Sequence, residues 1–260
     1  MPAQDVPKDV AVINRIAHHE AMQLTAEENR RFLVTLEQLG IKDWQKATDC
    51  SRWTVRDIAV HVTASAEAQA SPLEFLRQAW HGRRLTAEIG GRHWVDGLNE
   101  AQLRTRASLT EQDLPSRWRR AADAALKARE RMPAIVRGLR LLPLGTMDGV
   151  DFGWQSLGYL FDIGFTRDVW MHRIDICRAV GRPIDPTPDH DGRIVEDIIA
   201  EWATRHHDPF ALKLTGPAGG TFTRGDGAHT SWLEVDAIES CRLLSGRGEA
   251  RGVLRHPLPL

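Results

Sequence analysis

The stretch Arg167-Asp168-Val169-Trp170-Met171-His172-Arg173-Ile174-Asp175 sets a carboxylate and an imidazole four residues apart inside what reads as a helix. Residues four apart share a helical face. A carboxylate and a neutral imidazole converging from one face are two of the three protein ligands that an open catalytic zinc site, or a similar divalent site, requires. The helix expected around them covers residues 155–180, with Leu157, Leu160, Gly164, Asp168 and His172 on one stripe and Gly181 and Pro183 as terminators. That stripe turns polar where core is expected.

Working outward, three more amphipathic segments accompany it. Thr25-Ala26-Glu27-Glu28 has capping-box spacing and precedes Phe32, Leu33, Leu36 and Leu39 at helical period, with Gly40 as a stop and residues 10–24 as a helical extension carrying His18 and His19. A second helix begins at Thr54, capped with Asp57, and its inner face reads Ile58, His61, Val62, Ser65 until Pro72 breaks or restarts it. Residues 95–107 form a shorter helical pattern. Thr110 and Asp113 read as the cap that launches Trp118, Ala122, Ala125, Leu126 and Arg129. In residues 132–153 periodicity fails among Pro and Gly, which reads as a long irregular connection. The pattern specifies a mostly helical, four-helix bundle with ligands on facing helices.

After Pro183-Ile184-Asp185-Pro186-Thr187-Pro188 the character changes, and we read a domain of residues 1–183 followed by one of residues 184–260. The second unit reads as α+β. It has a helix over 194–204, strands at Phe210 to Thr215, Thr221 to Thr223 and Ser231 to Val235, turns at 216–220 and 225–227, and a final helix over Ala237 to Leu244.

Composition bounds the function. Formal net charge is −1, from 34 basic and 35 acidic residues, so no global field draws the chain to nucleic acid or an anionic membrane. No apolar run approaches the ~18 residues of a spanning helix, and the charged first thirty residues do not read as a signal peptide, which makes the cytoplasm the expected location. Three widely spaced cysteines, Cys50, Cys177 and Cys241, argue against a disulfide framework and read as buried small hydrophobes.

His61 is the candidate third ligand, replacing an apolar residue on a buried stripe. His61, Asp168 and His172 leave a fourth position open to water or a thiol, whose pKa zinc lowers. Asp57, one turn before His61, either accepts the second imidazole proton or serves as the capping acid. The plain alternative is that both histidines are hydrogen-bonded core residues that do not converge. Other features have structural readings: Gly216-Pro217-Ala218-Gly219-Gly220 is a turn without the helix and lysine of a phosphate loop, His206-His207 ends a helix, and Trp53, Trp154 and Trp170 are candidates to wall a pocket.

The chain resembles the mycothiol-dependent maleylpyruvate isomerase family. The resemblance is carried by Trp53-Thr54-Val55-Arg56-Asp57-Ile58-Ala59-Val60-His61, Val95-Asp96-Gly97-Leu98-Asn99, residues 167–176 and Leu243-Leu244-Ser245-Gly246-Arg247. It implies a DinB-like up-down four-helix bundle and a small, sterol-carrier-protein-like α+β domain. It implies a divalent metal, commonly Zn2+, on His61, Asp168 and His172, although the characterised isomerase has glutamate where this chain has Asp168. It also implies mycothiol as the bound thiol, acting either in cis-trans isomerisation by addition and elimination or in transfer of its sulfur to an electrophile. Asp96, Asn99 and Arg173 become candidates to line the pocket, and Arg247 to meet an acidic substrate across the domain interface. Partners would be the small thiol and an electrophilic substrate, for a monomer or homodimer. The alternative function is a non-catalytic metal-binding or regulatory protein on the same fold.

Overall fold

The computed structural model describes residues 6–50, 52–91, 93–147, 149–225 and 232–260. In chain order it comprises β1 (Lys8–Asp9), α1 (His18–Glu37), α2 (Val55–Ala70), α3 (Pro72–Glu88), α4 (Trp94–Arg104), α5 (Leu114–Glu130), α6 (Ala134–Arg137), β2 (Leu142–Met147), β3 (Val150–Gln155), α7 (Phe165–Val180), α8 (Arg193–His206), β4 (Phe210–Thr215), β5 (Gly220–Arg224), β6 (Trp232–Asp236) and α9 (Ala237–Leu244). It is mostly helical. Two compact units result: one is His18–Pro143 with Trp154–Ile184, and the other joins the segment up to Ala17, Leu144–Gly153 and Asp185–Leu260. This division differs from a single break at 183/184: β1 pairs beside β5, Lys8 opposite Phe222, and Leu144–Gly153 falls in the same unit.

The first unit is built on α1, α2, α5 and α7. Phe32, Leu36, Ile58, Val62, Trp118, Ala122, Ala125, Val169 and Ile176 recur at helical spacing and bury together, which is how period 3.6 becomes a core. Thr54 and Asp57 close a capping box on α2: the Thr54 hydroxyl accepts the Asp57 amide at 3.2 Å and the Asp57 carboxylate accepts the Thr54 amide at 3.0 Å. Ser71 caps α3 with Pro72 in its first turn, so the expected break is a restart. Gly181, at φ 72, ends α7 in the left-handed conformation that glycine adopts without strain.

Four local expectations are corrected. Thr25 does not cap α1; it lies inside the helix, buried, with its hydroxyl donating to the Ala21 carbonyl at 2.7 Å, and the helix begins at His18. Thr110 donates to the Asp113 carboxylate at 2.5 Å, and α5 starts at Leu114 with no side-chain cap. Residues 132–153 are not irregular: α6 and a β2–β3 hairpin occupy them, with Leu142, Leu144 and Phe152 buried. Gly149 at φ 84 lies between the strands and Gly145 at φ 57 inside β2, and these glycines masked the alternation in the sequence. The expected helix over 155–180 likewise opens with a π-helical turn at Tyr159–Gly164, ahead of α7.

The second unit holds a four-stranded sheet in the order β1-β5-β4-β6, with β4 antiparallel to β5 and parallel to β6. Ile198, Trp202, Phe210, Leu212, Phe222, Cys241 and Leu244 are buried there. Part of the turn expected at 225–227, and Ser231, lie outside the described residues. Among the described residues no helix is long and apolar enough to cross a membrane.

Candidate metal centre

His61 projects from the middle of α2, and Asp168 and His172 from successive turns of α7. His61 Nε2 lies 3.6 Å from Asp168 Oδ2, and His172 Nε2 lies 3.5 Å from Asp168 Oδ1. One ligating atom from each of the three lies within 4.8 Å of the others. Donors about 2.1 Å from a tetrahedral ion stand roughly 3.4 Å apart, so the observed spacing fits a divalent ion with small adjustments. The imidazole side chains are nearly buried at 9% and 7% exposure, and Asp168 keeps 27%, so the opening lies on the carboxylate side. The three side chains thus meet in one region of the bundle.

Each imidazole is oriented by a second contact at Nδ1. His172 Nδ1 lies 3.1 Å from Asp175 Oδ2, one turn along α7, and Asp175 is fully buried. His61 Nδ1 lies 2.7 Å from Gln102 Oε1 on α4. A carboxylate or amide oxygen at Nδ1 favours the N–H there and leaves the Nε2 lone pair for a metal. Trp53 lies against both rings, its centroid 4.8 Å from that of His61 and 5.8 Å from that of His172. Nearby, half-buried Cys50 donates from Sγ to Asp175 Oδ2 at 3.3 Å.

Several expected roles fall elsewhere. Asp57, considered as the partner of His61, is spent in the α2 capping box, because its position in the first turn aims it at the amides rather than down the helix. Arg173 does not present itself as a pocket residue: it is buried, and its guanidinium forks onto the buried Glu28 carboxylate of α1 at 2.6 and 3.1 Å. Asp96 is the third residue of the α4 capping box, accepting the His93 amide at 3.0 Å. Asn99 lies half-buried on the same helix. Arg247 belongs to the second unit, where its amide donates to the Arg242 carbonyl at 2.9 Å after α9. Of the other tryptophans, Trp170 is fully buried core and Trp154 is 58% exposed.

The contacts missed by sequence reasoning are Gln102, Gln78 and Cys50. The usable signal was the one that found His61, namely polar side chains at buried helical positions: Gln102 is 3% exposed and Gln78 is 2%. A further buried charge on the bundle interior, Arg129, donates to the hydroxyls of Thr25 and Thr166 at 2.9 Å each. Burial lowers its pKa to about 9, because the interior disfavours the charged form. Two more clusters of ligating atoms occur among the described residues: Cys50, His172 and Asp175 beside the centre, and His206, Asp208 and His256 in the second unit.

Residues 25–177 match the model of the mycothiol maleylpyruvate isomerase N-terminal domain family. Two crystal structures of the mycothiol-dependent maleylpyruvate isomerase are similar in fold. A histidine-to-alanine mutant aligns with a TM-score of 0.57 and the other structure with 0.55, each at 14% identity over 93% of this chain and 92% of its own. No curated protein sequence matches the chain significantly.

Proposed function

This chain belongs to the mycothiol maleylpyruvate isomerase family by the match over residues 25–177, and from that premise we propose that it is a divalent-metal-dependent enzyme that uses a low-molecular-weight thiol, mycothiol, on an electrophilic substrate. The observation that carries this reading is the convergence of His61, Asp168 and His172, with both Nε2 atoms turned toward Asp168. Two imidazoles and a carboxylate suit zinc among the common divalent ions. When bound, such an ion supplies Lewis acidity that lowers the pKa of a thiol at its open position.

The chain's own residues have defined tasks in this scheme. His61 and His172 hold the ion as neutral donors, and Gln102 and Asp175 keep their rings aimed. Asp168 completes the donor set and borders the opening by which thiol and substrate arrive. Trp53 covers the two rings and shields them from water on its side. In isomerisation, the thiol sulfur adds to a conjugated cis double bond, rotation follows about the resulting single bond, and elimination returns both the trans product and the thiol. In S-transfer, the sulfur stays on the product.

Zinc-loaded protein supplied with mycothiol and maleylpyruvate, or with a panel of other electrophiles, tests the proposal. Turnover that disappears in His61→Ala is expected. Thiol recovered unchanged identifies isomerisation, and thiol consumed one for one identifies transfer. Stoichiometric metal without turnover of any substrate would instead identify a non-catalytic metal-binding protein.

A further inference from the structure

A chain of buried hydrogen bonds leads away from His61, and its polarity is set at the far end. Gln78 Nε2 on α3 lies 2.8 Å from Glu74 Oε1 and 2.9 Å from the Ala64 carbonyl oxygen. Both partners are acceptors only, since Arg77 and Arg106 hold the Glu74 carboxylate ionised, with its pKa lowered to about 2. Gln78 must therefore turn its NH2 group toward them and its oxygen toward Gln102. Gln102 Nε2 donates to that oxygen at 2.9 Å, which leaves Gln102 Oε1 facing His61 Nδ1 at 2.7 Å. An oxygen with no hydrogen to give requires the imidazole to carry its proton on Nδ1. In the neutral ring the lone pair then falls on Nε2, the atom 3.6 Å from Asp168 Oδ2. The two acceptor-only groups settle which end of each amide is oxygen, so the order of donors and acceptors follows from chemistry alone.

We propose that Glu74, Gln78 and Gln102 form a positioning relay that locks His61 in the Nδ1–H tautomer and so presets Nε2 as a metal donor before any ion arrives. This rests on the metal-centre reading for its purpose, but not for the tautomer itself. The backbone makes the relay possible at Gly82 and Gly97, where α3 and α4 approach so closely that a Cβ on Gly97 would lie 2.2 Å from the Gly82 carbonyl oxygen. Gln78 and Gln102 sit one turn or so beyond this crossing, on the two helices it holds together.

The test separates the relay from the metal. Long-range 1H–15N correlation spectra of metal-free protein, recorded above about pH 8 where an ordinary imidazole is neutral, report which ring nitrogen of each histidine carries the proton. Wild-type His61 is expected as Nδ1–H. In Gln78→Met, which touches neither the imidazole nor the ion, the Gln102 amide is released to rotate and the Nε2–H form should appear. Zn2+ affinity, measured by competition with a chromophoric chelator, should fall about tenfold there and up to about 100-fold in Gln102→Met. Circular dichroism checks that both variants fold, and if they do not, the wild-type spectrum alone decides. His61 found as Nε2–H in the wild type, or folded Gln102→Met binding Zn2+ as tightly as the wild type, would overturn the relay. Wild-type Nδ1–H with the shift in Gln78→Met but no metal bound by any form would uphold the relay and remove the metal-centre reading instead.

Discussion

Replacing Arg173 with methionine separates a structural role from a substrate-binding one. Arg173 is 4% exposed and its partner Glu28 is fully buried, with the two contacts at 2.6 and 3.1 Å forming a fork that ties α7 to α1. With charge centres about 4 Å apart and an effective dielectric near 20, the attraction is about 4 kcal/mol. Removing one partner forfeits that attraction and strands the other charge in the interior, a loss of about 3–5 kcal/mol. For a unit of this size each kcal/mol lowers the midpoint by roughly 2–4 °C, so Arg173→Met should melt about 6–20 °C early. The double variant Glu28→Leu with Arg173→Met removes both charges and should regain most of the loss. Urea and thermal denaturation followed by tryptophan fluorescence suit this test, because Trp118 and Trp170 are both fully buried in this unit. A single variant as stable as the wild type would refute the assignment. So would a double variant with restored stability and lost turnover, which would return Arg173 to the pocket.

Cys50→Ser should leave metal stoichiometry unchanged, because Cys50 is outside the His61, Asp168 and His172 set; loss of the ion would move the site to Cys50, His172 and Asp175. Gly97→Ala forces α3 and α4 apart, which should destabilise the protein by about 1–3 kcal/mol and weaken Zn2+ binding through the relay, measurable by denaturation and chelator competition. His206 in the second unit has its pKa lowered from 6.5 to about 4, chiefly by burial and then by the neighbouring His256 ring. The unfolded chain therefore takes up this proton first, so the stabilisation is complete above about pH 6.5 and is lost as pH falls toward 4. The full shift corresponds to about 3 kcal/mol, reduced to about 1–2 because the ring is partly in solvent. His206→Asn should flatten the acid limb of a stability series over this range, and an unaltered limb would contradict the assignment.

Local signals in the sequence carried most of the fold. Thr54 and Asp57 read as a capping box and form one, and the apolar stripes that include Phe32, Ile58 and Trp118 read as helices and share a core. Glycine defeated the same reasoning in residues 132–153, where positive-φ positions interrupt an alternating pattern that the hairpin nevertheless buries. Thr25 misled because a hydroxyl before glutamates has the spacing of a cap, whereas here it satisfies a carbonyl inside the helix. At the centre, i,i+4 geometry made the Asp168 and His172 pairing visible, and a lone imidazole on an apolar stripe pointed to His61. The groups that orient those rings were less accessible. Gln102 and Gln78 come from separate helices, and their use depends on the close crossing at Gly82 and Gly97, a tertiary fact. Arg173 illustrates the converse: its place in a family-like motif suggested substrate, whereas in the structure it is buried against Glu28.

The most direct measurement is anomalous diffraction at the zinc edge from crystals of the zinc-loaded protein. The account predicts a single strong peak about 2.0–2.2 Å from His61 Nε2, His172 Nε2 and an Asp168 carboxylate oxygen. No peak there, or a peak between Cys50, His172 and Asp175 instead, would contradict it.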